Sequence, residues 1–209
     1  MWLVKPTNAN QGRGIEVFTA MDKMVSYIES RPAGCSLVVQ KYIERPLLYR
    51  GRKFDIRMWA LVTSRNEIFF YKQGYLRTSS AQFTLENEDQ FVHLTNQCLQ
   101  VKNTSSYAKF EEGNTLSFAQ FQAYLDSAEF LSSRPDLKSK KVRIERDLVP
   151  RMKDIVIDTV LAAKQQLNPN HRKNHFELFG YDFLVDEDFR VWLIEVNTNP
   201  YIGIHNDQM

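Results

Sequence analysis

The chain has 209 residues, of which 43% are hydrophobic and 25% charged, and its net charge is +2. This balance excludes a collagen-like, low-complexity or wholly disordered chain. It gives no overall basicity that would demand nucleic acid or a membrane as partner, and no apolar run reaches the roughly 18 residues that span a bilayer. The two cysteines, Cys35 and Cys98, cannot build a disulfide framework, so we expect a reduced intracellular protein.

Hydrophobic periodicity predicts strands and helices in mixed order, which is typical of an α+β fold. The predicted elements are a strand over 2–5, a loop over 7–14, a strand over 15–18, a helix over 20–30, a strand over 36–42, a hairpin of 53–63 and 67–75, a helix over 114–130, a helix over 143–167, and a hairpin of 177–185 and 190–197. Residues 78–113 are too polar to assign, and 132–141 is the segment most typical of a linker. Pro150 predicts a kink or a late start in the helix over 143–167.

The small net charge conceals blocks of opposite sign. Residues 41–77 carry nine Lys or Arg and three acids, and residues 134–153 carry eight and three. Residues 182–195 carry five acids and one base. Each block alone is compatible with a solvated face, but their segregation suggests one region for anions such as phosphates and another for a divalent cation.

One strand carries three charges on one face. The period of two in Lys53-Phe54-Asp55-Ile56-Arg57 places Lys53, Asp55 and Arg57 together. The alternatives are a solvated edge strand and a partly enclosed site in which the cations bind phosphate and Asp55 orients them. Arg77, just past the second strand of this hairpin, is placed to add another cation.

The last hairpin brings two carboxylates and an amide together. If Glu187-Asp188 is a two-residue loop, Asp182 pairs with Leu193, and Glu195 is its diagonal neighbour. Asp182, Glu195 and Asn197 then share a face and form a set of hard oxygens suited to magnesium, unless the carboxylates are simply solvated. The opposite face is predicted to be apolar and to carry Tyr181, Phe183, Val185, Trp192, Ile194 and Val196.

Two polar segments are candidates for phosphate and nucleotide contacts. Gly12-Arg13-Gly14 allows backbone amides to approach a phosphate, although a plain turn is the better explanation of this loop taken alone. His93-Leu94-Thr95-Asn96 places three polar side chains within four residues, which indicates a loop that lines a site or a structural histidine. Lysines, arginines, a glycine loop and a carboxylate–amide set together are what phosphoryl transfer requires, because that chemistry is mostly positioning and charge neutralisation.

Six motifs in order resemble the tubulin tyrosine ligase-like family over nearly the whole chain. They are Trp2-Leu3-Val4-Lys5-Pro6 with Gly12-Arg13-Gly14-Ile15, then Gln40-Lys41-Tyr42-Ile43-Glu44-Arg45-Pro46-Leu47-Leu48, Lys53-Phe54-Asp55-Ile56-Arg57, Tyr75-Leu76-Arg77, His93-Leu94-Thr95-Asn96, and Phe176 to Asp182 with Trp192 to Pro200. The resemblance implies an α+β ATP-grasp fold, present as its central and C-terminal portions, with an antiparallel sheet flanked by helices. Residues 1–44 would end the central subdomain and 45–209 would form the C-terminal one. Family members carry an N-terminal domain and the first half of the module before the Trp2 strand, so we expect a fragment that lacks one upstream phosphate-binding lysine.

The resemblance also assigns roles by position. Lys5 and Lys53 would contact ATP phosphates, with Gly12, Arg13 and Gly14 in the nearby loop. The adenine would lie at Gln40, Lys41 and Ile43, and the nucleotide pocket would also be lined by His93, Thr95 and Asn96. Asp55, Arg57 and Arg77 would line the reaction centre, Asp55 also contacting ATP, and Asp182, Glu195 and Asn197 would hold Mg²⁺.

The implied activity is ATP-dependent ligation of a free amino acid to a tubulin carboxylate through an acyl phosphate, with ATP and Mg²⁺ as cofactors. Glutamylation is the commonest activity of the wider family and is the expected one. The basic block over 134–153 is a candidate dock for an acidic tubulin tail or another acidic protein, and a cytoplasmic, cytoskeletal or ciliary location follows. Two alternatives stay open: a nucleotide- or microtubule-binding module without catalysis, and an ATP-grasp ligase of small peptides or metabolites.

Overall fold

The computed structural model describes residues 1–9 and 11–202. Its contacts divide the chain into two compact units. The first unit comprises Met1–Phe54 and Arg77–Asn114, and the second comprises Asp55–Leu76 and Thr115–Met209. The predicted boundary between residues 44 and 45 concerns the family's subdomains and stays a prediction.

Strands and helices occur in mixed order along the described residues. The strands are β1 (Trp2–Pro6), β2 (Glu16–Phe18), β3 (Leu37–Lys41), β4 (Leu48–Tyr49), β5 (Arg52–Thr63), β6 (Ile68–Phe70), β7 (Tyr75–Thr78), β8 (Thr115–Ser117), β9 (Phe176–Val185) and β10 (Val191–Thr198). The α-helices are α1 (Met21–Glu29), α2 (Gln90–His93), α3 (Gln97–Gln100), α4 (Phe118–Leu125), α5 (Ala128–Ser133) and α6 (Val149–Leu167). This mixed composition confirms the predicted α+β class.

In the first unit, β1 is the central strand of a small antiparallel sheet with the order β2-β1-β3. Alternate residues of β1 face α1, and Val4 forms a buried cluster there with Phe18 and Met24. Met24 is the buried residue of α1, in agreement with the predicted amphipathic helix. The other face of β1 carries Lys5.

The larger sheet has the strand order β10-β9-β5-β7-β8, and β4 and β6 also pair with β5. In the second unit β9 pairs in antiparallel fashion with both β5 and β10. Tyr181 of β9 lies 2.9 Å from the hydroxyl of Thr159 on α6, so α6 covers the face of β9 that carries Tyr181. Asp182, the next residue, therefore points to the other face.

Two predicted elements are interrupted. The strand predicted over 67–75 ends at Phe70, and β7 begins at Tyr75. The helix predicted over 114–130 is instead β8 followed by two short helices. Ser117 and Gln120 form a capping box at the start of α4, and the hydroxyl of Ser127 accepts from the amide of Phe130 at the start of α5, so each helix has its own N-terminal cap.

The longest helix begins late, as Pro150 predicts. Ile144–Leu148 forms one π-helical turn, and α6 starts at Val149 with the proline in its first turn, where no amide hydrogen is needed. Among the residues that the structure describes, no helix is both long enough and apolar enough to cross a membrane. Cys35 and Cys98 are exposed free thiols.

Candidate active site

The turn between β9 and β10 sets which residues face each other. Asp186 pairs with Arg190 through a backbone hydrogen bond of 3.0 Å, so the loop has three residues, one more than predicted. Phe189 adopts a φ of 63°, the left-handed conformation that closes three-residue hairpin loops. The Asp186 carboxylate accepts from the amides of Asp188 and Arg190 and from the indole of Trp192, which fixes the loop.

The predicted pairing of Asp182 with Leu193 is wrong. Leu193 lies opposite Phe183, a β-bulge follows, and Glu195 lies directly opposite Asp182. The longer loop shifts the register by one residue, and the extra residue of the bulge then restores the two carboxylates to one face. Trp192 pairs with Leu184 and so shares the face of Asp182, not the apolar face that was predicted for it.

The three predicted metal-binding residues do come together. The amide nitrogen of Asn197 lies 3.3 Å from a carboxylate oxygen of Asp182 and 3.3 Å from one of Glu195. Asp182 is 1% exposed, whereas Glu195 and Asn197 are half-buried. The cluster therefore opens toward solvent on the β10 side.

Arg57 joins this cluster from the neighbouring strand. It lies directly opposite Asp182 in the β5–β9 register. Its Nε donates to one carboxylate oxygen, and its Nη2 donates to the other at 3.1 Å. Asp55, two residues earlier on β5, is buried and shares the face of Arg57, as the alternation predicts.

Gly180 leaves room for Pro200 to pack against β9 beside Arg57. A Cβ at this position would lie 2.7 Å from the Cβ of Pro200 and 3.5 Å from the Cδ of Arg57. Beside it, the indole of Trp59 donates to the carbonyl of Tyr201 at 3.2 Å. The segment after β10 is thus held against the face that carries the cluster.

The donor set fits a hard divalent cation. Among the described residues no group of three or more His, Cys, Asp or Glu side chains could hold a metal, so a site here needs the amide as its third ligand. Asn197 presents its amide nitrogen to both carboxylates, and a half-turn of that amide would present its oxygen instead. Asp182, Glu195 and Asn197 would then offer oxygens of the kind that magnesium prefers.

In the first unit, the face of β1 that is turned away from α1 carries two predicted nucleotide contacts. Gln40 lies opposite Leu3, and Lys5 lies opposite Val38, so Lys5 and Gln40 share this face.

Lys41 points the other way, with its ammonium 5.5 Å from the centre of the Trp2 ring. The hydrogen bond that Lys41 makes with the Glu44 carboxylate raises the pKa of Lys41. Only the backbone of Lys41 can therefore contribute on the Gln40 face. Ile43, just past β3, is half-buried.

The glycine loop packs against the polar motif near residue 95. Gly12 and Gly14 have φ values of 75° and 70°, which glycine adopts without strain. A Cβ at Gly12 would lie 3.0 Å from the Oδ1 of Asn96, so the loop and Asn96 are close neighbours. Arg13 is exposed and donates to the side chain of Gln11. Gly12 and Asn96, which the resemblance assigns to the phosphate loop and to the nucleotide pocket, are therefore neighbours within the first unit.

Lys53 lies in a buried network that includes a residue missing from the predicted site. Its ammonium donates to the hydroxyl of Tyr42 at 2.9 Å and to the carbonyl of His93 at 2.7 Å. The ring of His93 is fully buried, and Thr95 is buried two residues later. Burial raises the pKa of Tyr42 and lowers that of His93. Tyr42 carries no local signal of this role, because its partner His93 is 51 residues away.

Arg77 is buried in β7 and belongs to the first unit, whereas Asp55 and Arg57 belong to the second. The structure thus groups the predicted residues into a carboxylate–arginine cluster in the second unit and a set of lysine, glutamine and glycine positions in the first.

Comparison with known proteins gives consistent matches. Tubulin glycylase 3A of Drosophila melanogaster is 38% identical over 208 residues, which cover 97% of this chain and 20% of the relative. The human tubulin monoglycylase TTLL3 is 38% identical over 208 residues (96% of this chain, 25% of the relative), and the human protein monoglycylase TTLL8 is 36% identical over 216 residues (96% and 23%). The chain thus spans about a fifth to a quarter of the length of these relatives. The profile of the tubulin-tyrosine ligase family matches residues 1–208, and the chain belongs to this family of ATP-grasp-like proteins.

Proposed function

We propose that the protein that carries this chain is an ATP-dependent ligase that joins an amino acid to a carboxylate of tubulin. The observation that carries the proposal is the cluster in which Arg57 and Asn197 both donate to Asp182 and Asn197 also donates to Glu195. Such a cluster combines a fixed cation with oxygen ligands for a metal, and phosphoryl transfer needs both. Family membership supports the same reaction class.

We propose that the first unit binds the nucleotide. Lys5 and Lys53 contact the phosphates of ATP, and Gln40, the backbone of Lys41 and Ile43 contact the adenine. Two observations support this assignment: Lys5 and Gln40 share one face of the sheet, and Gly12 lies against Asn96. Gly14 and Arg13 complete the loop on the phosphate side, and His93, Thr95 and Asn96 are proposed to border the same pocket.

We propose that the second unit supplies the reaction centre. The acceptor carboxylate attacks the γ-phosphate of ATP, which gives an acyl phosphate and ADP, and the amine of the incoming amino acid then displaces phosphate. Arg57 is proposed to stabilise the charge on the acyl phosphate, with Asp55 orienting the cations of its own strand, and Arg77 is proposed for the same charge. Asp182, Glu195 and Asn197 would hold Mg²⁺, which when bound neutralises phosphate charge.

Glycine is the better-supported amino acid. The sequence led us to expect glutamate, but the relatives named above are called glycylases. We therefore propose glycine as the added residue and keep glutamate as the competing candidate. Glutamate differs from glycine by a side chain of two methylenes and a carboxylate, so the binding site for the free amino acid must either exclude or accommodate that anionic side chain.

We further propose that the basic segment, residues 134–153, contacts the acidic tails of tubulin. Several of its arginines are already paired: Arg134 with Asp136, Arg143 with Asp126, and Arg146 with Asp147. Its lysines Lys138, Lys140 and Lys141 are exposed. These three lysines are the strongest candidates for contacts with an acidic partner.

The test is incorporation of labelled amino acid into tubulin in the presence of ATP and Mg²⁺. Parallel reactions with glycine, glutamate and tyrosine identify the substrate, and we expect glycine to be incorporated.

Glu195→Gln should abolish incorporation, because it removes one carboxylate from the cluster. Glu177→Gln, the same change at an exposed position of the same hairpin, should leave it intact. Nucleotide binding without incorporation of any amino acid would favour a binding module, and incorporation into small peptides alone would favour the metabolite-ligase alternative.

A further inference from the structure

A chain of buried hydrogen bonds holds the ammonium group of Lys53. Its nitrogen lies 2.9 Å from the Tyr42 hydroxyl, which in turn lies 3.0 Å from the Nδ1 of His93. The Nε2 of His93 lies 2.8 Å from the carbonyl oxygen of Asn87. The three side chains come from the end of β3, from β5 and from α2, so the chain ties together three separate segments of the first unit.

The acceptor at the far end fixes the direction of every bond in this chain. The Asn87 carbonyl can only accept, so the Nε2 of a neutral His93 carries the proton and donates it. The Nδ1 is then unprotonated, and its lone pair accepts a hydrogen bond from the Tyr42 hydroxyl. The hydroxyl oxygen is left with its own lone pairs to accept from Lys53, so the bonds run from Lys53 through Tyr42 to His93 and on to Asn87.

The geometry also limits where the Lys53 ammonium can lie. A lysine side chain is flexible, with rotatable bonds along a four-carbon stem. Here a second N–H is directed at the His93 carbonyl, 2.7 Å away, and the nitrogen lies 4.4 Å from the centre of the Tyr42 ring. Tyr42 thus contacts Lys53 through its hydroxyl and its ring. His93 contacts Lys53 through its backbone carbonyl, and its ring bonds to the Tyr42 hydroxyl.

We propose that Tyr42 and His93 are positioning residues that hold the Lys53 ammonium in place for the phosphates of a nucleotide, with His93 acting through Tyr42. This inference rests on the proposed function, in which Lys53 contacts ATP. In this inference the His93 ring supports Tyr42 and does not touch the nucleotide, because the ring is 0% exposed and both of its nitrogens bond to protein atoms.

The first experiment removes one hydroxyl. Tyr42→Phe retains the ring beneath the ammonium and deletes the link between Lys53 and His93. We expect roughly tenfold weaker binding of ATP, the scale of one hydrogen bond to a charged group, and less than twofold change for adenosine, which lacks phosphates. Tyr27→Phe removes a hydroxyl from the ring that packs on Phe18 in the same unit and is the matched control. In the ligase assay, Tyr42→Phe should raise the KM for ATP and leave the KM for tubulin unchanged.

The second experiment tests the direction of the chain. Asn at position 93 offers a side-chain oxygen near the place of Nδ1, so His93→Asn should bind ATP within about threefold of the parent, whereas His93→Leu should match Tyr42→Phe. Combining His93→Leu with Tyr42→Phe should add little further loss, because both break the same link. If His93→Leu fails to fold, Tyr42→Phe and His93→Asn still decide the question.

Three results distinguish the possible failures. A parent protein that binds no ATP refutes the proposed function, and this inference falls with it. A parent that binds ATP while Tyr42→Phe binds it as tightly as Tyr27→Phe overturns the positioning role alone. Equal losses for ATP and adenosine would also overturn it, since they indicate a general distortion of the first unit.

Discussion

Arg57 lies directly opposite Asp182 on the neighbouring strand, and its guanidinium donates to both oxygens of that carboxylate. Both side chains are largely buried. A charge taken out of water is stable only if its partner stays in place, so this pair determines how the charges of the cluster are balanced. It also places a fixed cation where the proposed reaction develops negative charge.

Replacing Arg57 with Met should destabilise the second unit by about 3–5 kcal/mol, the range measured when one partner of a buried ion pair is removed. The reason is that the Asp182 carboxylate remains buried without its bidentate donor. Arg65→Met is the matched control, because Arg65 pairs with Glu67 at an exposed site and should contribute about 0–1 kcal/mol. The measurement is urea-induced unfolding of each variant.

A second substitution checks the cause of that loss. Arg57→Met combined with Asp182→Asn should recover part of the stability, since the amide of Asn carries no charge that would be buried without a partner. If Arg57→Met were as stable as Arg65→Met, the pair would not be holding the two strands as described.

Asp186 organises the loop that sets the register of β10. Asp186→Ala should cost about 1–3 kcal/mol, because the amides of Asp188 and Arg190 and the indole of Trp192 all lose their acceptor. Asp186→Asn, which keeps one carbonyl oxygen, should cost less. Asp188→Ala, at a more exposed position of the same loop, is the control, and thermal unfolding separates the three. An Asp186→Ala variant as stable as the control would contradict the role of this carboxylate.

Short-range rules predicted much of the second unit's site. Alternation along β5 correctly placed Asp55 and Arg57 together, and alternation in the last hairpin brought Asp182, Glu195 and Asn197 to one face. The shared face emerged although the pairing was wrong, because the longer loop and the bulge offset each other. Trp192 precedes the bulge, so the one-residue shift caused by the longer loop is what moved it to the face of Asp182. The two short helices after β8 were predictable, since Ser117 and Gln120 already show the capping-box spacing.

Long-range contacts could not be predicted in the same way. The link between Tyr42 and His93 joins residues 51 apart, and neither lies in a pattern that identifies the other. The polar stretch over 78–113 gave no periodicity, yet it contains the buried side chains of His93 and Gln100. Their side chains form hydrogen bonds with backbone carbonyl groups of the same stretch, for example from Gln100 to the carbonyl of Phe91 at 3.2 Å. Such partners depend on the tertiary fold.

The buried imidazole of His93 should make stability depend on pH. Burial, and to a lesser extent the charge of Lys53, lowers its pKa, while the hydrogen bond to Asn87 and the charges of Asp89 and Glu88 oppose this. The unfolded chain therefore takes up the proton first, near the ordinary value of about 6.5. Stability from this group is fully present above that pH and is lost as the pH falls from there through the lower pKa of the folded state.

The measurement is the unfolding free energy at pH 7.5 and pH 5.5. His93→Asn, which has no titrating ring, should lose less stability between these values than the parent. His171→Asn changes an exposed histidine of the second unit and serves as the control. A parent and a His93→Asn variant with the same pH dependence would show that the imidazole does not contribute.

The exposed lysines of the basic segment should determine affinity for an acidic partner. Reversing Lys138, Lys140 and Lys141 to Glu should weaken binding to microtubules by roughly tenfold at low ionic strength, and less above about 0.15 M salt, where the Debye length is about 8 Å. The control makes the same charge change at three other exposed lysines, Lys102, Lys164 and Lys173. Co-sedimentation with microtubules across a salt series measures both. Equal losses in the two triple variants would mean that binding follows net charge, and that the basic segment is an ordinary solvated face of the protein.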